Sequence, residues 1–338
     1  MRKRIACVGL ALAWSKCAVA QEGITMYGLL DEFAQYVNTG KGFTAAMGSS
    51  GQWGSRFGVK GTEDIGGGNR VNFVLENGFN PTDGSLAQSN TLFSRQAWVG
   101  LGGSWGQVRV GQQNSPLFND QGGQDAFGGG TQASGMNNLS TFAARTSNTV
   151  SYLLPEFAGL QGGIYVGLGN AGGLGSAGSS YQFDLTYARG PLAAFVAGQW
   201  LKNATNTTTD RAVFAGASYA IGKATLYGSY AASRWDDLDV NDDVYGLSAK
   251  YQLTPAGSVA LGYAILRDNT SQHDDANQAS LMCEYDLSRR TDLYATLSFL
   301  QNHSQAGYTL AGSANPGLPL AYPGADARGV EVGVVQRF

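Results

Sequence analysis

The sequence predicts an all-β chain, with sixteen antiparallel strands closed into a transmembrane β-barrel. Three observations carry this. The chain ends on an extended segment, Val330 to Phe338, whose last residue is aromatic. Charged residues make up only 14% of the chain, against a usual ~25%, yet beyond the N-terminal region no run of about 18 apolar residues could form a membrane-spanning helix. Finally, the strand-like segments are joined by connections that are alternately short and long.

In the closing segment, Val330, Val332, Val334, Gln336 and Phe338 fall on one side of an extended strand, and Glu331, Gly333, Val335 and Arg337 on the other. Such a strand needs a partner for its backbone groups. In a closed barrel that partner is the first strand.

The N-terminus reads as an export signal over residues 1–20. Arg2, Lys3 and Arg4 form a basic head, Ile5 to Trp14 an apolar run too short to span a bilayer, and Ala18-Val19-Ala20 a cleavage site. The barrel domain is then 21–338. Cys7 and Cys17 leave with the signal and Cys283 stays, which excludes an intramolecular disulfide or a cysteine metal cluster. The leader also removes Arg2, Lys3, Arg4 and Lys16 and no acid, so the formal charge falls from -3 by four further units. That balance disfavours a nucleic-acid binder.

Short turns are read at Asp64 to Asn69, Gly102 to Gly106, Pro155 to Gly159, Arg189 to Pro191, Ile221 to Lys223, Thr254 to Gly257 and Ser288 to Arg290. Long loops are read at about 38–54, 80–91, 112–145, 168–180, 202–210, 234–243, 267–277 and 301–326. Short turns at one end and long loops at the other suit an outer-membrane barrel, and an even strand count brings both termini to the short-turn end. Late strands alternate clearly. Leu293, Ala295, Leu297 and Phe299 oppose Tyr294, Thr296 and Ser298; Leu281, Cys283, Tyr285 and Leu287 oppose Met282, Glu284 and Asp286. Trp200, Trp235 and Tyr36 lie by long loops, Trp105 and Tyr251 by short turns, as rings at the two membrane boundaries would. A two-sheet sandwich gives the same alternation but rarely such long strands with every long loop at one end.

Several segments resemble a known family. SRFGVKGTEDIGGGNRVNFVLENGF from Ser55 to Phe79, FSRQAWVGLGGSWGQVRVGQQ from Phe93 to Gln113, and SNTVSYLLPEFAGLQGGIYVG from Ser147 to Gly167 are similar, in this order, to hairpins of Gram-negative trimeric outer-membrane porins of the β-proteobacterial type. MYGLLDEFAQY fits their first strand. VGVVQRF fits their closing segment, with Val335 and Gln336 where a basic residue and a His are more usual. The resemblance implies a homotrimer of barrels whose third loop, here Gln112 to Ala144, folds inward and narrows the pore. It also implies a diffusion channel for small hydrophilic solutes and ions in the outer membrane, reached through the periplasm. The implied partners are membrane lipid and lipopolysaccharide, the barrel-assembly machinery for which Phe338 is a signal, and small solutes and anions, with no nucleic acid and no cofactor.

In such a pore the chemistry is the field across its narrowest section, where rings of Arg or Lys favour anions. Alternation turns Arg56, Lys60, Arg109 and Arg145 inward, with Ser147, Thr149 and Ser151 on the same face as Arg145. The periodicity around Arg95 is ambiguous, and its placement rests on the resemblance. Arg56, Arg95 and Arg145 each match a position where the anion-selective branch carries a pore arginine. The opposing acids are expected to be Asp120 and Asp125 on the third loop and Glu76 on the wall, while Glu284 and Asp286 also point inward.

Rival functions have thinner support. A barrel enzyme would need a His-based site, but His273 and His303 fall in outer loops with no nucleophile motif. A substrate-specific uptake channel would carry an aromatic track; Tyr294, Trp98 and Phe127 form no regular stripe. An adhesin or purely structural barrel would not conduct. Gly66-Gly67-Gly68 is a turn rather than a phosphate cradle, since no helix follows it. No metal ligand set is fixed by the acidic outer loops.

Overall fold

A computed structural model describes residues 23–169 and 176–338. The expected leader, residues 1–20, lies outside the described residues. Among the described residues, eighteen strand segments form one continuous antiparallel sheet. The first half comprises β1 (Thr25–Asn38), β2 (Phe43–Ser49), β3 (Arg56–Gly66), β4 (Asn69–Asn80), β5 (Ser85–Leu86), β6 (Gln96–Gly103), β7 (Gly106–Asn114), β8 (Arg145–Leu153) and β9 (Leu160–Gly167). The second half comprises β10 (Ser180–Arg189), β11 (Leu192–Lys202), β12 (Thr209–Ile221), β13 (Ala224–Trp235), β14 (Val240–Gln252), β15 (Gly257–Asp268), β16 (Ala276–Asp286), β17 (Thr291–Asn302) and β18 (Ala327–Arg337).

These make sixteen staves, as the sequence predicts. Both β2 and β3 pair with β1, so together they are one stave broken at mid-height. β5 is a two-residue extension paired to the end of β4. The first long loop was expected over 38–54; instead Asn38 caps a tight turn through the N–H groups of Gly40 and Gly42, and the chain re-enters the sheet at Phe43. Two positive-φ glycines, Gly40 and Gly42, permit that turn.

The barrel closes. β1 pairs with β18 from Leu29 opposite Arg337 to Asn38 opposite Arg328, and Gly28 and Phe338 exchange both backbone hydrogen bonds at 3.1 Å. No ladder edge is left at the seam, which a bilayer requires. The outer face is apolar, with Leu247, Leu261, Leu293, Leu297, Val332 and Phe299 exposed along it. Stacked aromatic pairs mark both ends: Tyr36 with Phe43 at the long-loop end and Trp105 with Tyr152 at the short-turn end.

The third loop enters the barrel. It carries two short helices, α1 (Pro116–Asp120) and α2 (Gly135–Leu139), each capped by a serine hydroxyl, Ser115 accepting from the Phe118 N–H and Ser134 from the Asn137 N–H. Leu117, Met136 and Leu139 pack on the inward-facing Ala212, Phe214, Ala231, Val244, Ala264 and Leu266. Wall side chains also satisfy the loop's backbone. Gln199 bonds both the N–H and the carbonyl of Ala143 (2.9 and 3.0 Å), Ser233 both those of Thr141 (3.3 and 2.7 Å), and Gln278 the carbonyl of Gln132 (2.8 Å). The loop is therefore fixed along its length to the β11–β17 side.

Candidate channel constriction

With the loop held against one side, the opposite side of the lumen stays open. Its centre is Glu76, on β4, with its side chain only 5% exposed. Arg95 donates from Nε to Glu76 Oε1 at 2.7 Å, the Arg56 Nε lies 3.5 Å from Oε2, and the Tyr27 hydroxyl donates to Oε2 at 2.9 Å. Arg95 stands just before β6, so strand alternation does not govern it; its N–H bonds the Glu76 carbonyl at 3.2 Å, which aims the side chain inward. Positive φ at Phe93 turns the chain there.

Arg145 opens β8 beside the 2.9 Å bond from the Ser115 N–H to the Ala144 carbonyl, which closes the neck of the loop. Its guanidinium lies 4.8 Å from the centre of the Phe118 ring, and that of Arg95 lies 6.0 Å from the same ring. Phe118, on α1, thus gathers two like charges over one aromatic ring. Arg56, Arg95, Arg145 and Glu76 lie within electrostatic reach of one another, three guanidiniums to one carboxylate. Arg56, Arg95 and Glu76, with Phe118, Trp53 and loop residues, border a cavity of about 320 Å³.

The other expected site residues stand apart. Lys60 faces the lumen nearer the short turns, its ammonium 5.1 Å from the centre of the Tyr27 ring. Arg109 faces inward on β7, over Trp98 at 4.3 Å and donating to Gln107 at 2.8 Å. Asp120 ends α1 and faces Asp184 on β10, not the arginine group. Its Oδ2 is buried with no partner among the described residues, and burial, then the Asp184 carboxylate, push its carboxyl up to about 7. Asp125 is turned into the loop itself, accepting from the N–H groups of Phe127 (2.9 Å) and Gly129 (3.2 Å) and from the Ser134 hydroxyl. Glu284 is inward and bonded to Lys250 and to Gln52, and Phe338 lies on the outer face with its ring across Gly28. Ser147, expected inward, is exposed outside and bonds Gln112, while Thr149 and Ser151 are buried inside. A register slip opposite Gly111 and positive φ at Asn148 reverse the alternation there.

Two features escaped sequence reasoning. Phe118 lies in a loop where alternation gives no direction; the only signal was the Ser115-Pro116 helix start beside it. The broken second stave, Ser50 to Ser55, bends into the lumen. Ser50 takes a φ of 66°, and Asp31 on β1 accepts from the N–H groups of Gln52 (2.7 Å) and Trp53 (2.5 Å). Gln52 then reaches Glu284 on β16 at 2.6 Å. The Gly51–Gly54 spacing was its only trace in the sequence.

Known proteins share this architecture. The chain is 32% identical to outer membrane porin protein 32 of Delftia acidovorans, over 97% of each chain. It is 29% identical to an outer membrane porin protein of Bordetella pertussis, over 89% of this chain and 95% of that one. The anion-selective porin from Comamonas acidovorans superposes with a TM-score of 0.81 at 29% identity, covering 94% of this chain and all of the other. The trimer form of an outer membrane protein of Vibrio cholerae shares the fold with a TM-score of 0.71 at 16% identity. The profile of the Gram-negative porins matches residues 6–305, and with this relationship and the closed barrel the chain belongs to the Gram-negative porin family.

Proposed function

We propose that this outer-membrane diffusion channel prefers anions, and that Arg56, Arg95 and Arg145 set the preference. The observation that carries the reading is the imbalance at the open wall, three guanidiniums around one carboxylate. Arginine keeps its charge at any pH the cell meets. The acids that make the chain negative overall weigh less, because exposed loop charges farther than about 8–10 Å from the narrow section are screened in physiological salt. A relative of similar fold is named as anion-selective, which favours the same reading here.

The test is the reversal potential of the purified protein in a planar bilayer under a potassium chloride gradient. An anion-signed potential is expected, falling toward zero or inverting in Arg145→Glu. A cation-signed potential in the unaltered protein at neutral pH overturns the assignment.

We further propose export through cleavage of residues 1–20 and assembly as a homotrimer. Outward Gly28 and Gly61 lie under the rings of Phe338 and Phe73, which gives the outer face near the seam a flat surface suited to a neighbouring barrel. The trimer form of the Vibrio cholerae relative supports this. Native mass spectrometry of the detergent-extracted protein is expected to give three times the mass of the mature chain.

A further inference from the structure

Resting on the anion-preferring reading, we infer that the constriction is a selective site for aromatic carboxylates, with Trp53 as the residue that recognises the ring. The inward bend of the second stave places an indole on the rim of the same 320 Å³ cavity that Arg56 and Arg95 border. Asp31 accepts from the Trp53 backbone N–H, which holds the segment that carries the ring, and the far edge of the indole lies 3.9 Å from where a side chain on Gly128 would begin. Gly128 to Gly130 carry no side chains that could cover the space between indole and loop.

The cationic side of the cavity is equally prepared. Of the Arg95 donors, Nε is engaged by Glu76; of the Arg56 donors, Nη1 is engaged by the Gly54 carbonyl at 3.0 Å. The guanidiniums retain further N–H groups in the fork geometry that suits a carboxylate. Phe118 is already committed to Arg95 and Arg145, so Trp53 is the aromatic surface left for a ligand. A planar ring bearing a carboxylate can therefore meet arginines at its charged end and indole at its apolar end. An aliphatic acid of the same charge can use only the first. A chloride ion uses neither the fork nor the indole.

The probes are benzoate and cyclohexanecarboxylate, which share charge and near-equal size and differ in the flat π face. Each is titrated against the chloride current of the full-length mature protein in a planar bilayer, and the half-blocking concentrations are compared. Benzoate is expected to block at a concentration about 3–10-fold lower, the range that one stacking contact supplies. Because the ratio of the two acids is read within each variant, changes in conductance cancel. The ratio is expected to fall to near one in Trp53→Leu and to survive in Trp53→Phe. Equal block by the two acids in an anion-selective channel overturns the aromatic site and leaves the anion preference standing. A ratio unchanged in Trp53→Leu overturns the role of the indole. A cation-signed reversal potential removes the anion reading on which both depend.

Discussion

The lumen has two walls, and they treat the same strand position differently. On the β3–β8 side, inward residues are charged and line the passage: Arg56, Glu76 and Arg109. On the β12–β16 side, inward residues are Ala212, Phe214, Ala231, Val244, Ala264 and Leu266, sealed beneath the third loop. Facing inward is thus a matter of backbone geometry, whereas contact with water depends on what the loop leaves uncovered. The covered wall is a small hydrophobic core within a membrane barrel. The open wall is a set of charges held by one another.

Removing the charge that holds the open wall should have the largest effect. In Glu76→Gln, the guanidiniums of Arg56 and Arg95 lose their carboxylate while remaining largely buried, at 24% and 10% side-chain exposure. Loss of one partner from such a group costs about 3 kcal/mol, and the anion-signed reversal potential is expected to increase. Denaturant unfolding followed by the heat-modified shift on gels reads the first quantity. An unchanged midpoint would mean that the open wall does not depend on its central acid.

The covered wall is probed by adding volume beneath the loop. A Cβ at Gly262 on β15 would lie 2.7 Å from the Phe127 ring and 2.8 Å from the Ser248 Cβ. Gly262→Val is expected to cost about 1–3 kcal/mol of local stability by overpacking and to appear as open-channel noise as the loop lifts. Quiet single-channel traces in that variant would show the loop to be held by its hydrogen bonds rather than its packing.

The smallest effect joins the two walls. Asp120 is on the loop, outside the spanning strands, and its carboxyl titrates at about 7 because burial and then Asp184 disfavour its charge. It is mainly neutral at pH 6 and mainly ionised at pH 8, so raising the pH adds a negative charge inside the lumen and is expected to lower the anion-signed reversal potential modestly. Asp120→Asn should weaken that dependence.

The barrel itself was legible in the sequence because it depends on periodicity. Leu293, Leu297 and Phe299 face out, and Tyr294, Thr296 and Ser298 face in, as a two-residue repeat requires. The alternation failed at Ser147, where a bulge inserts a step, and gave nothing for Arg95, which precedes its strand. Of the acids, Glu76 on a strand meets the arginines, while Asp125 on the loop serves the loop's own turn. Loop side chains such as Phe118 obey tertiary contacts that no local pattern encodes. The break at Ser50 to Ser55 was hidden for a similar reason: Asp31, which captures it, belongs to another strand.

That break ties calibration of the aperture to completion of the cylinder. Asp31, which grips the indented segment, is itself held by the Tyr294 hydroxyl at 2.9 Å from the penultimate strand, and Gln52 reaches Glu284 one strand further back. The two ends of the polypeptide therefore meet at the eyelet as well as at the seam. A barrel stalled before zipping shut would lack the framework for its own bore, so a molecule that sieves correctly is one that has finished folding.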